Sequence, residues 1–205
     1  MQPKWLEWAQ NLQAIAQAGL TYTEGPYDRE RYTAVQRIAA EILAGYTDAS
    51  TDRIAGLLAQ ESGYATPKID VRGVVFRDEA ILLVKERADG LWTLPGGWAD
   101  VNESPRQNVE KEIWEESGYR ATAVKLLAVY DRNQHPHPPI PWHTYKLFFL
   151  CQLNGGAPAH SLETNGVGFF REDDLPPLSV SRITTAQIAR MFDHYRHPDW
   201  PADFD

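Results

Sequence analysis

The sequence is poor in cysteine and in long apolar runs. Its only cysteine, Cys151, lies in the apolar segment LFFLCQL, so it cannot form an internal disulfide and is expected to be a buried thiol rather than a nucleophile. No apolar run is long enough to cross a bilayer, and the N-terminus lacks a basic segment followed by an apolar one. We therefore expect a soluble, cytoplasmic protein.

Basic residues are also in deficit. The chain of 205 residues has 20 Lys and Arg against 28 Asp and Glu, a formal net charge of −8, and it contains no Lys/Arg-rich run. Proteins that bind nucleic acid polymers neutralise phosphates with such residues. The composition therefore argues against that class, whereas a small phosphorylated substrate is compatible with it. The 43% of hydrophobic residues suffices for one large or two small domains with a core.

Residue types with specific chemistry are concentrated in one stretch, residues 94–119, LPGGWADVNESPRQNVEKEIWEESGY. Ser104, Pro105 and Gln107 have the spacing of a helix N-cap, a first helical residue and the reciprocal partner of a capping box. Gly118 is placed to end the helix in the left-handed conformation. The pattern predicts a helix from about Pro105 to the residue before Gly118.

Three carboxylates would share one face of that helix. Glu112, Glu115 and Glu116 stand at positions i, i+3 and i+4, where like charges repel unless they are well solvated or bound to a cation. Oxygen-only ligation of this kind suits Mg²⁺ or Mn²⁺. A solvated acidic helix face is the alternative interpretation, and the Gly96-Gly97 turn just upstream favours the metal site.

The whole stretch resembles the Nudix box, in which a glycine, a first glutamate, an Arg-Glu pair, a Glu-Glu pair and a final glycine stand at fixed spacing. Eight of nine positions fit, and they are read along the chain as Gly97, Glu103, Lys111, Glu112, Ile113, Glu115, Glu116, Gly118 and Tyr119. The departure is Lys111, where the family has Arg. In the family this Arg pairs with the first Glu, here Glu103. A Lys is a single-point donor, so we expect a weaker brace around Gly97 and Glu103.

The resemblance implies a hydrolase that depends on Mg²⁺, with Mn²⁺ as the other suitable ion. The implied metal ligands are the backbone carbonyl of Gly96 and the carboxylates of Glu112, Glu115 and Glu116. These would neutralise phosphate oxygens through the metal and activate a water that attacks one phosphorus of a diphosphate linkage.

Glu163 is a further candidate, because it lies on a loop six residues before the aromatic pair that starts at Phe169. Many Nudix enzymes similarly place a carboxylate on this loop as a metal ligand or as the base. An exposed loop Glu is the alternative. The implied catalytic residues are therefore Glu112, Glu116 and Glu163, with the proton acceptor either Glu112 or Glu163.

The periodicity of apolar residues divides the chain into two parts. Apolar residues recur at helical spacing in three segments before residue 65, and Gly19 is expected to close the first of them. From Ile69 onward, β-branched and aliphatic runs predict strands, and a last amphipathic helix follows from about Thr184 to Tyr195. We predict an α+β protein: a Nudix-type α/β/α sandwich with a mixed sheet over residues 67–205, preceded by a small all-α domain over residues 1–66.

A proline-rich stretch, DRNQHPHPPIPWH at residues 131–143, predicts an extended loop between two strands. His135 and His137 lack a third partner nearby for a transition metal, and a loop role is the expected one. Substrate contact by His135, His137 and Trp142 is the functional alternative.

Segments outside the box resemble Nudix enzymes that hydrolyse nucleoside diphosphates linked to a second group, of the CDP-choline or ADP-ribose pyrophosphatase type. This similarity implies a homodimer with the helical domain in the subunit contact, and products that are a nucleoside monophosphate and a phosphorylated remainder. Two other functions stay open: a nucleoside triphosphate pyrophosphohydrolase of the sanitising type, and a non-catalytic Nudix-like ligand sensor.

Overall fold

The structure is a computed structural model that describes residues 3–205. It divides into two compact units. One comprises the chain up to Lys68 together with Pro139–His143, and the other comprises Ile69–Pro138 and Thr144–Asp205. The domain boundary between residues 66 and 67, inferred from the sequence, stays a prediction.

The first unit is helical, as predicted. Its helices are α1 (Lys4–Tyr22), α2 (Pro26–Gly45) and α3 (Thr51–Leu58). Their apolar faces form one core, made of Leu6, Ala9, Ala39, Ala40, Leu43, Ile54 and Leu58. Within residues 3–205, no helix has the length and apolar character needed to cross a membrane.

Gly19 does not end α1, contrary to the sequence-based expectation. The helix continues to Tyr22. A Cβ atom on Gly19 would lie 2.4 Å from the ring of Tyr32 on α2. This glycine therefore serves the close packing of two helices, which a local sequence pattern does not distinguish from a helix stop.

The second unit is built on a mixed sheet. In chain order its elements are β1 (Lys68–Arg77), β2 (Ala80–Glu86), β3 (Trp92–Thr93), α4 (Pro105–Ser117), β4 (Tyr119–Asp131), β5 (Thr144–Gly156), β6 (Thr164–Phe170), α5 (Thr185–Arg196) and β7 (Asp203–Phe204). The strand order is β3-β2-β1-β5-β4-β7, with β6 paired to β2. The β4–β7 pair is parallel, whereas β2 pairs antiparallel with β1, β3 and β6, and β4 pairs antiparallel with β5.

Each face of the sheet packs on one helix, which gives the predicted α/β/α sandwich. Val109 and Ile113 of α4 are fully buried in the cluster on one face. Ile188 and Met191 of α5 are fully buried in the cluster on the other. Helix α4 is thus held by two apolar residues one turn apart, which leaves its remaining faces available for polar side chains.

Two elements were not predicted from the sequence. A short 3₁₀ helix, Arg132–Gln134, opens the proline-rich loop, and Asp131 caps it by accepting a hydrogen bond from the Asn133 N–H. Strand β7 pairs with β4 near the end of the chain. Both elements are only two or three residues long, so neither carries a periodic apolar signal.

Candidate active site

A turn of the backbone at Gly96 lies directly against β1. Gly96 has a φ of 140°, and a Cβ atom there would lie 2.0 Å from the carbonyl oxygen of Val71. The Val71 N–H donates to the Gly97 carbonyl (2.9 Å) and the Gly73 N–H to the Pro95 carbonyl (2.8 Å). Only glycine fits at position 96, and the hydrogen bonds fix the turn alongside β1.

Helix α4 begins and ends where the sequence predicts. Ser104 and Gln107 form a reciprocal capping box, with Pro105 in the first turn, and Gly118 is left-handed with φ 75°. The Thr164 hydroxyl of β6 donates to the Glu116 carbonyl at the helix C-terminus (2.7 Å). These contacts fix the register in which the helix presents its carboxylates.

Glu116 lies inside the protein and touches the glycine turn. It is 4% exposed, and its Oε2 accepts a hydrogen bond from the Gly96 N–H at 2.8 Å. Burial raises the pKa of Glu116 to about 8, against the opposing effects of Arg72 and of the Gly96 hydrogen bond, while Glu112 and Glu86 raise it further. A carboxylate this poorly solvated gains from a nearby cation.

Glu112 lies one turn before Glu116 and next to Gly97. A Cβ atom on Gly97 would be 3.4 Å from Oε1 of Glu112. Burial raises the pKa of Glu112 to about 7; Arg72 opposes this shift, and Glu115 and Glu163 add to it. The charges of Glu115 and Glu163 thus act on Glu112, and the charge of Glu112 acts on Glu116.

Glu115 and Glu163 differ from this pair by being exposed. Neither side chain forms a hydrogen bond with any residue in the range 3–205. The loop of Glu163 is well fixed, because its N–H donates to the Ser161 hydroxyl (3.0 Å) and its carbonyl accepts from the Arg87 N–H (2.8 Å). The charge of Glu163 raises the pKa values of Glu112 and Glu86, and its role as a metal ligand or base stays a prediction.

The oxygen donors near the glycine turn can be compared with those that a divalent cation requires. As the side chains stand, no three Asp, Glu, His or Cys residues between positions 3 and 205 are close enough together to hold a metal ion. Glu112 and Glu116 nevertheless lie beside the glycine turn, and both have raised pKa values. Oxygen donors carrying uncompensated charge fit Mg²⁺. The metal-ligand role of Gly96, Glu112, Glu115 and Glu116 stays a prediction.

Lys111 contacts two carboxylates rather than the one expected. Its Nζ is 3.0 Å from Glu103 and 2.5 Å from Asp100. The hydrogen bonds of Asp100 and Glu103 raise the pKa of Lys111 well above its usual value. The three residues tie the segment after the glycine turn to α4, and Asp100 was not anticipated from the sequence.

The sequence reasoning missed a second group of charged residues at this end of the sheet. Asp70 accepts three hydrogen bonds, two from Arg72 (2.7 and 2.8 Å) and one from Lys146 (2.9 Å). Burial opposes ionisation of Asp70, but Arg72 and Lys146 outweigh it and lower its pKa to about 2. A usable signal was present, because Asp70, Arg72 and Lys146 are charged residues inside the apolar runs that predict strands.

Glu86 is a fifth carboxylate near the cluster. It ends β2, is 5% exposed, and pairs with Arg182 at 3.1 Å. Burial raises its pKa, Arg182 and Arg72 oppose the shift, and Asp89 and Glu163 add to it. Arg182 also contacts Asp89 (3.0 Å), so the segment after β6 is joined to the end of β2.

The loop residues suggested as substrate contacts are not brought together as a set. His135 Nε2 lies 3.2 Å from the carboxylate of Asp205, and His137 Nδ1 lies 2.7 Å from the Val180 carbonyl oxygen. Trp142 belongs to the helical unit, where the Lys68 ammonium lies 5.1 Å from its ring centroid. His137 interacts electrostatically with Lys146 and Arg132.

Comparison with known proteins agrees with this geometry. A profile described as the NUDIX domain matches residues 66–191, more than half of the chain and all of the glycine turn and α4. The chain belongs to the Nudix family. A second profile, described as a UDP-X-like, N-terminal oligomerisation domain, matches residues 3–58.

Two similar proteins match this Nudix hydrolase over its whole length, and a third matches about two thirds of it. The chain is 50% identical over 205 residues to a Bacillus subtilis (strain 168) protein named "Putative ADP-ribose pyrophosphatase YjhB", covering 100% of this chain and 99% of that one. It also resembles a crystal structure of a UDP-X diphosphatase (36% identity, TM-score 0.65, 100% of both chains). A crystal structure of an ADP-ribose pyrophosphatase from Streptococcus suis 89-1591 matches 68% of this chain and 100% of its own (42% identity, TM-score 0.64).

Proposed function

We propose that this Nudix hydrolase uses Mg²⁺ to cleave the diphosphate linkage of a nucleoside diphosphate joined to a second group, of the ADP-ribose or CDP-choline type. The products would be a nucleoside monophosphate and a phosphorylated remainder. The observation that carries the proposal is the pair of half-buried Glu112 and buried Glu116 beside the glycine turn, whose pKa values are raised by desolvation. The names of the similar proteins, an ADP-ribose pyrophosphatase and a UDP-X diphosphatase, support the linked diphosphate class.

The residues that would hold the metal are Glu112, Glu115, Glu116 and the carbonyl of Gly96. When bound, Mg²⁺ would neutralise phosphate oxygens and lower the pKa of a coordinated water. The protein's own contribution is to position these donors, because Gly96 is fixed against Val71 and Glu116 is held by the Gly96 N–H. Lys111, with Asp100 and Glu103, would keep the loop in place.

Proton removal from the attacking water needs a carboxylate that is not fully occupied by other contacts. Glu116 already accepts the Gly96 hydrogen bond, whereas Glu163 forms no side-chain hydrogen bond within residues 3–205. Glu112 interacts electrostatically with both of these carboxylates. We assign the proton acceptor to Glu112 or Glu163. Gln substitution of each, compared at saturating Mg²⁺, distinguishes them, because the base variant loses kcat at every metal concentration.

A homodimer formed through the helical unit is part of the proposal. The profile over residues 3–58 is described as an oligomerisation domain. Three large apolar residues recur every seven positions along α1 and are half or more exposed: Trp8 (58%), Ile15 (56%) and Tyr22 (69%). A stripe of this kind is typical of a subunit contact. Sedimentation of the full chain as a monomer would refute this assembly, and the cytoplasmic location stays a prediction.

The decisive experiment compares kcat/KM for ADP-ribose, CDP-choline and the common nucleoside triphosphates at one Mg²⁺ concentration, with products identified. We expect a linked diphosphate to be turned over fastest, with release of a nucleoside monophosphate. Faster turnover of a triphosphate with pyrophosphate released would favour the sanitising function. Absence of turnover for every substrate, together with tight binding of one, would favour the ligand sensor.

A further inference from the structure

Three buried cations, on β1, on β5 and at the start of the proline-rich loop, act on the single carboxylate of Asp70. Arg72, Arg132 and Lys146 are 4%, 4% and 1% exposed. Within residues 3–205, the only carboxylate that forms ion pairs with any of them is Asp70, and it pairs with Arg72 and Lys146. Charges that are removed from water are costly unless they are paired, so three cations around one carboxylate need a reason.

Arg132 is the least satisfied of the three cations. Its guanidinium has five N–H donors, yet among the described residues 3–205 its side chain makes one hydrogen bond, from Nη2 to the Ser181 carbonyl (3.2 Å). Burial lowers its pKa from the usual value, and Asp70 alone opposes that shift. Arg132 therefore stays charged and retains unused donors in a desolvated position.

His137 adds an unused acceptor beside these donors. Its Nδ1 lies 2.7 Å from the Val180 carbonyl and must donate to it, so in the neutral ring Nε2 carries the lone pair. That Nε2 is buried and has no hydrogen-bond partner within the described part of the chain, residues 3–205. Burial lowers the pKa of His137 to about 4, and Lys146 and Arg132 lower it further. The consecutive carbonyls of Val180 and Ser181 thus position His137 and Arg132 together.

Arg72 and Arg132 differ in the carboxylates with which they interact. Arg72 interacts with Glu116 and Glu86 as well as with Asp70, whereas the interaction of Arg132 is with Asp70. Arg72 also donates to the Leu94 carbonyl, just before the glycine turn (3.1 Å), whereas Arg132 opens the proline-rich loop and donates to the Ser181 carbonyl. Arg132 therefore belongs to the side of the site that the proline-rich loop forms. A diphosphate substrate that reaches both regions would place one phosphate near α4 and the other nearer Arg132.

We propose that Arg132 and His137 form a binding site for an oxyanion, the phosphate of the substrate that lies farther from Glu112 and Glu116. Arg132 would donate charge-assisted hydrogen bonds to phosphate oxygens, and His137 Nε2 would accept from a hydroxyl of the group that this phosphate carries. Lys146 is already paired with Asp70, which it shares with Arg72, and acts as a positioning residue. The identity of the anion as a substrate phosphate rests on the proposed function.

The test is calorimetric titration with inorganic pyrophosphate in the presence of EDTA, on the full chain. Because this site uses no metal, the wild-type protein should bind, and Arg132→Gln should weaken binding by about tenfold or more, the size expected for a lost charge-assisted contact. Arg132→Lys, which keeps the charge but loses the forked donors, should be intermediate. Glu116→Gln should not weaken binding, because it removes an anion.

Arg120→Gln is the matched control, since Arg120 is an exposed residue of β4. It should bind pyrophosphate as the wild type does. Failure of the wild type to bind without metal, or equal binding by Arg132→Gln, would overturn the proposal. If Arg132→Gln does not give a cooperative melting transition, undiminished affinity of Arg132→Lys would overturn it instead.

Steady-state kinetics separate this inference from the proposed function. On a linked diphosphate, Arg132→Gln should raise KM by about tenfold or more while kcat changes little, because binding in ground and transition states is lost together. Loss of kcat at unchanged KM would contradict a binding site. If the wild type turns over no linked diphosphate but still binds pyrophosphate through Arg132, the proposed function fails and the oxyanion site stands.

Discussion

The carboxylates of α4 and the cations around Asp70 lie at the same end of one sheet but are assembled in different ways. Glu112 and Glu116 are one helical turn apart, so local spacing alone places them on one face. Asp70 and Lys146 are 76 positions apart and meet because β1 and β5 are neighbours. A helix can therefore present a charge cluster on its own, whereas a cluster on strands exists only in the folded sheet.

The two groups also differ in electrostatic balance. Burial raises the pKa of Glu112 and Glu116 because Arg72 is not enough to offset desolvation and mutual repulsion. Asp70 has a lowered pKa because two cations contact it directly. The first group is therefore short of positive charge and the second, with Arg132, is short of negative charge. A metal–diphosphate substrate would supply both, a cation on one side and phosphate oxygens on the other.

The largest effect is expected from removing one charge on the carboxylate side. Glu116→Gln should lower Mg²⁺-dependent kcat by about 100-fold or more, because a metal ligand typically contributes several kcal/mol to the transition state. The Gln carbonyl can still accept the Gly96 N–H, so the fold should persist. Mg²⁺ should raise the Tm of the wild type but not of the variant, since ligand binding stabilises the folded state.

Glu110→Gln is a matched control on the same helix. Glu110 accepts a hydrogen bond from the Ala123 N–H (2.8 Å) and pairs with Arg106, on a different side from the glycine turn. It should retain kcat and the Mg²⁺-dependent rise in Tm. Near-wild-type turnover by Glu116→Gln at limiting Mg²⁺ would remove Glu116 from the metal site.

The same contrast explains what could be predicted from the sequence. The bounds of α4 follow from Ser104, Gln107 and Gly118, because capping is chemistry between residues a few positions apart. The carboxylate face follows from the helical period. The layers of the sandwich follow from the apolar periodicity of the strands and of α5.

The remaining site residues depend on contacts between distant segments. Arg132 and His137 are positioned by carbonyls of Ser181 and Val180, more than 40 positions away along the chain. Glu86 is paired through Arg182. Single-sequence patterns do not report such pairings, although charged residues within apolar strands signal that a partner exists.

An intermediate effect is expected for the group around Asp70, on the free energy of unfolding and on its pH dependence. Asp70→Asn leaves Arg72 and Lys146 buried without their carboxylate, and the loss of one partner of a buried pair costs about 3–5 kcal/mol. The pKa of Asp70 is lowered to about 2, so its ionised form stabilises the fold above its ordinary pKa. That stabilisation is lost as the pH falls toward 2.

Urea unfolding of wild type and Asp70→Asn between pH 7 and pH 2.5 measures this directly. The difference in unfolding free energy should be large and constant above about pH 5 and should shrink below about pH 4. Asp173→Asn is the matched control, because Asp173 is exposed and forms no ion pair with the described residues 3–205. A difference for Asp70→Asn that does not change with pH would show that the carboxylate is not the stabilising group.

The smallest effect is expected at Lys111, which lies outside both charge clusters and holds the loop beside one of them. Lys111→Ala should raise the Mg²⁺ concentration for half-maximal rate by about tenfold at most, the lower end for residues that support metal ligands. Lys111→Arg should leave this Mg²⁺ concentration unchanged or lower it slightly, because a guanidinium can contact Asp100 and Glu103 together. Arg106→Ala, which removes the Arg106–Glu110 pair on the same helix, is the control and should leave the Mg²⁺ concentration for half-maximal rate unchanged. An alanine variant with wild-type Mg²⁺ dependence would show that the loop between Gly97 and α4 is held by the Gly96–Glu116 and Asp100–Asn108 hydrogen bonds without help from Lys111.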